Sequence, residues 1–247
     1  MRYFDTFDEN GVFQSSADEA DVHYKGLWHK LIRIWLYDAE GNIYLRIRKE
    51  DQKLDCITEL HVESSESIVN CFDRGLYEKI GVHLPATSNV EQAHFRKKQF
   101  QKVFSDNSEI RDNFFLCDYI GEFQSNTSYY IFSDDTEGLL KVNAKGILNL
   151  LSNRHGEIMG YYVRPIGEAQ NERKFVKIED IYNDRTEELY AKYNFVVNAI
   201  IKNSSEHIRE KREDEKIQML ITKSRNLKNA TTDYVSHSDE NEGDEIY

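Results

Sequence analysis

Two carboxylates and one guanidinium of this chain have the spacing of a site for a metal-bound phosphate. Glu66, Arg74 and Glu78 lie within the segment 63–82. On a helix, residues four positions apart share one face, so Arg74 can orient Glu78 as an ion pair. Carboxylate oxygens bind hard divalent cations, and such cations bridge diphosphates and activate water. The spacing therefore makes Glu78 a candidate metal ligand that Arg74 orients, so Arg74 and Glu78 are candidate catalytic residues, and Glu66 is a further carboxylate nearby.

A helix must position these residues. Apolar residues recur at intervals of three and four in Ser67–Ile80, which is the period of an amphipathic helix. They are Ile68, Val69, Phe72, Leu76 and Ile80. The polar residues 64–66 suit a helix N-terminus, and Gly81 suits a C-terminal stop. An ordinary amphipathic helix with a surface ion pair explains the same residues. Residues outside this segment are therefore needed to choose between a metal-phosphate site and an ordinary helix.

The segment resembles the Nudix box, G-x5-E-x7-R-E-U-x-E-E-x-G-U, in which U is a bulky apolar residue. The matching residues are Glu66, Arg74, Leu76, Glu78, Gly81 and Val82. Leu60 replaces the first Gly, Gly75 replaces the Glu after the Arg, and Lys79 replaces the last Glu. Gly75 weakens a helix by roughly 1 kcal/mol relative to Ala. Lys79 would repel a metal and would contact a phosphate as a point charge.

Residues outside the box extend the resemblance to the Nudix branch that contains the isopentenyl-diphosphate isomerases. His23–His29 (HYKGLWH) resembles one segment of that branch. In residues 60–67 (LHVESSES), His61, Val62, Glu66 and Ser67 match a second segment, while Leu60 and Ser65 replace its two glycines. Asp112–Phe115 resembles the start of a later strand without its Glu. The matches keep the family order over residues 5–165. The resemblance implies an α/β/α sandwich around a mixed sheet, with a diphosphate cleft beside the box helix.

The same resemblance implies a second metal site. The isomerases hold a metal through histidines at positions that match His23, His29 and His61, and three imidazoles suit zinc or manganese. Oxygen ligands would come from Asp134, Asp135 or Glu137. Glu59 stands where the isomerases have a Cys, which argues against isomerase chemistry. Hydrogen-bonded structural histidines are the alternative interpretation.

Basic and aromatic residues beside the presumed cleft are candidate ligand-binding residues. Arg46 and Arg48 form a small basic cluster that suits phosphate, and Lys79 adds a further charge. Trp28 could stack on a nucleobase. Each has an ordinary alternative, which is a solvated strand edge for the arginines and a place in the core for Trp28.

The chain is expected to divide into a Nudix-like domain at 1–165, a helical extension at 166–228 and an acidic, disordered tail at 229–247. The predicted strands are Leu31–Tyr37, Ile43–Arg48, Phe114–Phe123, Tyr129–Phe132 and Leu139–Val142. The predicted helices after the box are Asn143–Leu151, Glu179–Ile201 and one between Ser204 and Lys228. We expect His94–Lys98 to be an exposed loop.

Composition narrows the classes of function. The 247 residues carry a net charge of -12, which argues against general binding of nucleic acid or an anionic membrane. No apolar run approaches the length of a membrane span. The three Cys are isolated and no apolar leader is visible, so we expect a cytoplasmic protein.

Two hypotheses follow. In the favoured one, the chain binds a diphosphate-linked, nucleotide-type ligand with reduced or lost hydrolysis, and its C-terminal helices engage a protein partner. The alternative is an active hydrolase of a nucleoside diphosphate derivative, in which Glu66 and Glu78 hold Mg²⁺ or Mn²⁺, with Glu63 as a further candidate ligand, and a carboxylate such as Glu137 is the base. The loss of carboxylates at Gly75 and Lys79 should cost several kcal/mol of metal binding and transition-state stabilisation.

Overall fold

The structure of this chain, a computed structural model, describes residues 1–85, 88–103, 109–124, 129–153, 156–165, 172–183 and 189–236. The strands are β1 (Tyr3–Phe7), β2 (Phe13–Asp18), β3 (Trp28–Tyr37), β4 (Asn42–Arg48), β5 (Leu54–Asp55), β6 (Thr58–His61), β7 (Val90–Val103), β8 (Glu109–Glu122), β9 (Thr136–Asn143), β10 (Ile158–Tyr162) and β11 (Arg173–Val176). The helices are α1 (Glu19–Lys25), α2 (Ile68–Ile80), α3 (Ala144–Asn153) and α4 (Leu189–Ser236), with a 3-10 turn at Ile178–Asp180.

The strands form one mixed sheet, in which β3 pairs with β8 in parallel and the other pairings are antiparallel. At the centre of the sheet, β3 and β4 pair with each other only at Leu36–Tyr44 and Tyr37–Ile43. Beyond those pairs the two strands diverge, since β3 continues against β6 and β4 continues against β5. The divergence leaves a fork between the central strands.

Helices cover both faces of the sheet. Ile32, Ile34 and Leu36 point to one face and pack against α2. Trp35 and Tyr37 point to the other face, where α3 and the first turns of α4 pack. This alternation follows from the period of two along a strand. The predicted α/β class is confirmed, as are the sandwich around a mixed sheet and the C-terminal helix.

Two local predictions are wrong. His94–Lys98 belongs to β7, because β8 supplies a hydrogen-bonded partner along the whole segment. Tyr129–Phe132 is not a strand. Its backbone instead meets the end of α2, where the amide of Ile131 donates to the carbonyl of Ile80 at 3.1 Å. In both places a tertiary contact overrides the local pattern.

The C-terminal region contains one long helix where two were predicted. No Gly or Pro interrupts α4 between Leu189 and Ser236, so local chemistry gives it no stopping point. The chain separates into two compact units, Met1–Ser204 and Ser205–Tyr247. Residues 237–247 of the predicted acidic tail lie outside the described residues. Within the described part of the chain, no helix has the length and apolar content needed to span a bilayer.

Candidate functional site

The box helix begins and ends where the sequence predicts. The hydroxyl of Ser67 accepts the backbone N–H of Asn70 at the N-terminus of α2. Gly81 ends the helix in the left-handed region at φ 70°. Between these caps, Cys71, Phe72, Leu76 and Ile80 are buried against the sheet. The solvent-facing side of α2 is therefore the side that carries Arg74 and Glu78.

Arg74 joins the carboxylates near this helix, with Glu66 as its main partner. Its Nε and Nη2 each donate to Glu66 at 2.8 Å, and Nη2 also donates to the carbonyl of His61 at 2.9 Å. Glu78 lies 3.6 Å from Nη1 and Glu63 lies 3.9 Å from it. Burial opposes ionisation of Glu66, but the hydrogen bonds from Arg74 hold the pKa of that carboxyl below its usual range. Arg74 therefore pairs with Glu78 as predicted, but more weakly than with Glu66.

Gly75 lies in a space that no side chain can occupy without displacing the core. A Cβ at this position would be 2.6 Å from Cδ1 of Ile34 and 3.1 Å from both methyl groups of Leu60. Ile34 is fully buried on β3. The position that carries a metal-binding Glu in the resembled box therefore faces the sheet here, and the helix packs closely because the residue is Gly.

Lys79 is held in a cluster of two cations around one carboxylate. Its Nζ donates to Oδ1 and Oδ2 of Asp135 at 2.9 and 2.8 Å, and Nη1 of Arg46 donates to Oδ2 at 3.0 Å. Although burial opposes it, the hydrogen bonds from Lys79 and Ser133 place the pKa of Asp135 well below its usual range. Asp135 is therefore ionised and paired with two cations, and its role as a metal ligand stays a prediction.

A cavity of about 260 Å³ opens at the fork between β3 and β4, and we call it the cationic cavity. Its charged lining residues are Arg33, Arg46, Arg48, Lys79, Lys192, Asp55, Glu59 and Asp135. Five cations and three carboxylates line the cavity, and two of the cations, Arg33 and Arg48, also pair with Asp118 and Asp51, which do not line it. Three of the four predicted ligand-binding residues, Arg46, Arg48 and Lys79, meet here.

Two residues of the cationic cavity come from beyond the region of resemblance. The guanidinium of Arg48 lies 3.7 Å from the centre of the Tyr182 ring, a cation–π contact. Lys192 on α4 is almost fully buried and donates to Asp55 at 2.8 Å. No local pattern marks Tyr182 or Lys192, because their partners are far away in the sequence.

Two predicted site residues lie elsewhere. Trp28 stacks on Phe115 with ring centroids 5.0 Å apart and does not line the cationic cavity. Glu137 is exposed on β9 and is also not among the residues that line this cavity. Their roles in stacking and as a base stay predictions.

The three predicted histidines converge at another place on the sheet. The ligating atoms of His23, His29 and His61 lie within 4.8 Å of one another. A carboxylate joins them, since Oδ1 of Asp112 is 3.2 Å from Nδ1 of His23 and 3.5 Å from Nε2 of His29. The sequence indicated Asp112 only as the start of a strand. The parallel pairing of β8 with β3, which places Phe114 opposite His29, brings it to the histidines.

The hydrogen bonds and the pKa values of the histidines make this cluster suitable for a cation. Nδ1 of His29 donates to the carbonyl of Leu27 at 2.9 Å, so its buried Nε2 carries a lone pair, and among the described residues that atom has no hydrogen-bond partner. Burial lowers the pKa of His29, and burial with the neighbouring histidines lowers the pKa of His61 to about 3. The hydrogen bond to Asp112 raises the pKa of His23.

Three imidazoles beside a carboxylate are a donor set for zinc or manganese, and metal binding would displace the proton that Asp112 favours on His23. A tetrahedral zinc holds its ligand atoms about 3.3 Å apart, so small side-chain movements would complete the geometry. The residues present therefore fit a metal, which would also satisfy the orphaned Nε2 of His29.

Comparison with known proteins gives a limited likeness. No family model and no curated protein matches the chain. Among solved structures, DR0079 from Deinococcus radiodurans has 16% identity and a TM-score of 0.41, over 61% of this chain and 88% of that chain. A MutT/nudix family protein from Enterococcus faecalis has 16% identity and a TM-score of 0.32, over 60% and 50%. A MutT protein from Methanosarcina mazei has 15% identity and a TM-score of 0.36, over 49% and 81%. Identities and TM-scores this low do not establish a family for this chain, so any inference about its family rests on the chain's own residues.

Proposed function

We propose that this chain is a Nudix-fold protein whose cationic cavity binds the diphosphate of a nucleotide-type ligand without efficient hydrolysis. The observation that carries the proposal is the cavity itself, which places Arg46, Arg48 and Lys79 at the fork beside the box helix. Guanidinium and ammonium groups that converge in a partly enclosed space favour a multiply charged anion. A diphosphate would replace Asp135 as the partner of Lys79 and Arg46.

The same helix, α2, explains why hydrolysis is expected to be weak, because it lacks converging carboxylates. A hydrolytic Mg²⁺ site needs carboxylates that converge on the ion. Gly75 faces the core, Lys79 brings a positive charge, and Glu66 is bound by Arg74 through two hydrogen bonds. Glu78 remains the exposed carboxylate of this helix face, so one of the three helix carboxylates of the resembled box is left to hold a metal.

The alternative is an active hydrolase with Mg²⁺ or Mn²⁺ on Glu66 and Glu78 and with Glu137 as the base. The experiment incubates the protein with ADP-ribose, diadenosine polyphosphates and dinucleotides, with either ion, beside a Glu78→Gln variant. Binding seen as thermal stabilisation, with intact ligand recovered, supports the proposal. Metal-dependent cleavage that the Glu78→Gln variant lacks would establish the hydrolase instead.

Matched variants locate the binding. Lys79→Gln removes a lysine that pairs with an aspartate in the cationic cavity. Lys25→Gln removes one that pairs with Asp21 at 2.6 Å on α1. Pyrophosphate should stabilise the Lys25→Gln variant as it does the wild type, and should stabilise the Lys79→Gln variant less. Equal responses would remove the cationic cavity as the binding site.

A second proposal concerns the histidine cluster, which we propose holds zinc or manganese through His23, His29, His61 and Asp112. The support is the orphaned Nε2 of His29 beside a carboxylate. Elemental analysis of the purified protein, before and after reloading, measures the metal. A protein that stays empty after reloading would leave the histidines with a structural role, and Asp112→Ala should lower the metal content if the cluster is the site.

We also propose a regulatory role, in which the C-terminal helix binds a protein partner in the cytoplasm. Support comes from Met219 on α4, whose side chain is 62% exposed and whose sequence neighbours include Ile217, Leu220 and Ile221. A full-length Met219→Asp variant should lose a partner that the wild type retains in co-purification. Retention of that partner would place the contact elsewhere.

A further inference from the structure

A second cavity, of about 310 Å³, lies on the face of the sheet that α2 covers, at the start of that helix. Four of its twelve described lining residues are aromatic, namely Phe7, Phe95, Phe115 and Tyr119, and we call it the aromatic cavity. Its lining includes Phe7, Phe95, Phe115, Ile68, Lys30 and Lys97. It is separate from the cationic cavity, because Ile68 and Lys79 are about 16 Å apart along α2 at 1.5 Å per residue.

The rings of this cavity form a stacked platform. Phe115 stacks on Trp28 with centroids 5.0 Å apart, and Phe95 stacks on Phe115 at 5.8 Å with 17° between the ring planes. Phe7 meets the edge of the same Phe115 ring at 6.1 Å. Phe95 nevertheless remains 47% exposed. Several aromatic rings grouped around an open concavity are typical of ligand sites, whereas single exposed apolar residues are ordinary.

The charged residues among the described lining of this cavity are two lysines, Lys30 and Lys97. Nζ of Lys30 is 4.8 Å from the centre of the Phe7 ring, and Nζ of Lys97 is 5.8 Å from Trp28 and 5.9 Å from Phe115. Lys97 also donates to the backbone carbonyl of Glu9. Among the described residues that line this cavity there is no carboxylate. An entering molecule therefore meets ring faces and two ammonium groups.

We infer that the aromatic cavity binds a planar aromatic anion, meaning a molecule of one or two fused rings with a carboxylate, sulfonate or phosphate substituent. The rings of the ligand lie against Phe95 and Phe115, and its charged group lies near Lys30 and Lys97. The volume is near the lower end of the range for small-molecule sites, which suits a ligand of this size. This site is independent of the proposed diphosphate binding.

Anilinonaphthalene sulfonate is a suitable probe, because its emission rises in an apolar site and its uncharged analogue is N-phenyl-1-naphthylamine. The full-length protein should bind one equivalent of the sulfonate. Phe95→Ala should weaken that binding by about fivefold or more, as expected for the loss of an aromatic contact. Phe100→Ala is the matched control, since Phe100 is on the same strand with 46% exposure but lines another cavity.

The lysines test the charge requirement. The double variant Lys30→Gln/Lys97→Gln should weaken binding of the sulfonate by roughly fivefold and leave the uncharged analogue within a factor of two. Both lysines lie at the surface, so this variant folds even if Phe95→Ala does not. Equal losses for Phe95→Ala and Phe100→Ala, equal losses for both probes, or no stoichiometric binding would each overturn the inference.

Discussion

The close packing of Gly75 can be measured with a double-mutant cycle. Gly75→Ala gains about 1 kcal/mol of helix propensity. Against that gain, its new Cβ would lie 2.6 Å from Cδ1 of Ile34 and 3.1 Å from Leu60. Overpacking of a filled core costs typically 1–3 kcal/mol. The steric cost wins, so we expect a net loss of about 1 kcal/mol in the free energy of unfolding.

Ile34→Val removes the atom that causes the closest contact. Alone it should cost about 0.5–1.5 kcal/mol, as buried Ile→Val substitutions do. In the Ile34→Val background, Gly75→Ala should become neutral or stabilising, which gives a favourable coupling of about 1–2 kcal/mol. Urea unfolding of the four proteins measures the coupling. Free energies that add within about 0.5 kcal/mol, or stabilisation by Gly75→Ala alone, would refute the packing argument.

Three further predictions use single substitutions. Ser67→Ala removes the hydroxyl that caps α2 and should lower the free energy of unfolding by about 1 kcal/mol in urea, whereas an unchanged midpoint would show that the cap contributes nothing. The pKa of Asp135 is lowered in the folded state, so its contribution to stability is present above the unfolded carboxyl pKa and is lost as pH falls towards the folded one. Asp135→Asn should therefore flatten the fall in melting temperature below about pH 4, and an unchanged slope would contradict this. Tyr182→Leu removes the ring under Arg48 and should weaken pyrophosphate binding roughly two- to fivefold by calorimetry, while equal affinities would exclude Tyr182 from the site.

Local signals account for the elements that the sequence predicts well. Ser67 and Gly81 bound α2 because caps act within a few residues, and the apolar period between them indicates the buried face. The strand at 94–98 could not be predicted in this way. Its charged side chains are accommodated only because β8 pairs with it and Asp118 accepts a hydrogen bond from Arg96 at 3.0 Å.

At the candidate site, too, local sequence patterns predict some residues and miss those that depend on distant contacts. Arg46, Arg48 and Lys79 were predicted from their proximity to the box, and the fork between β3 and β4 does bring them together. Lys192 reaches the cavity through its pairing with Asp55, which is 137 positions away, and no local pattern encodes such a contact. The close approach of α2 to the sheet at Gly75 depends on how Ile34 and Leu60 pack against it. The spacing of residues along the helix does not determine that distance.

The most direct test of the central claim is one calorimetric titration of ADP-ribose into the protein with Mg²⁺, followed by chromatography of the same sample. We predict binding of one equivalent, weaker binding to Lys79→Gln than to Lys25→Gln, and recovery of intact ADP-ribose after prolonged incubation. Recovery of cleaved products from the wild type, but not from Glu78→Gln, would contradict the claim that this helix binds a diphosphate without hydrolysing it.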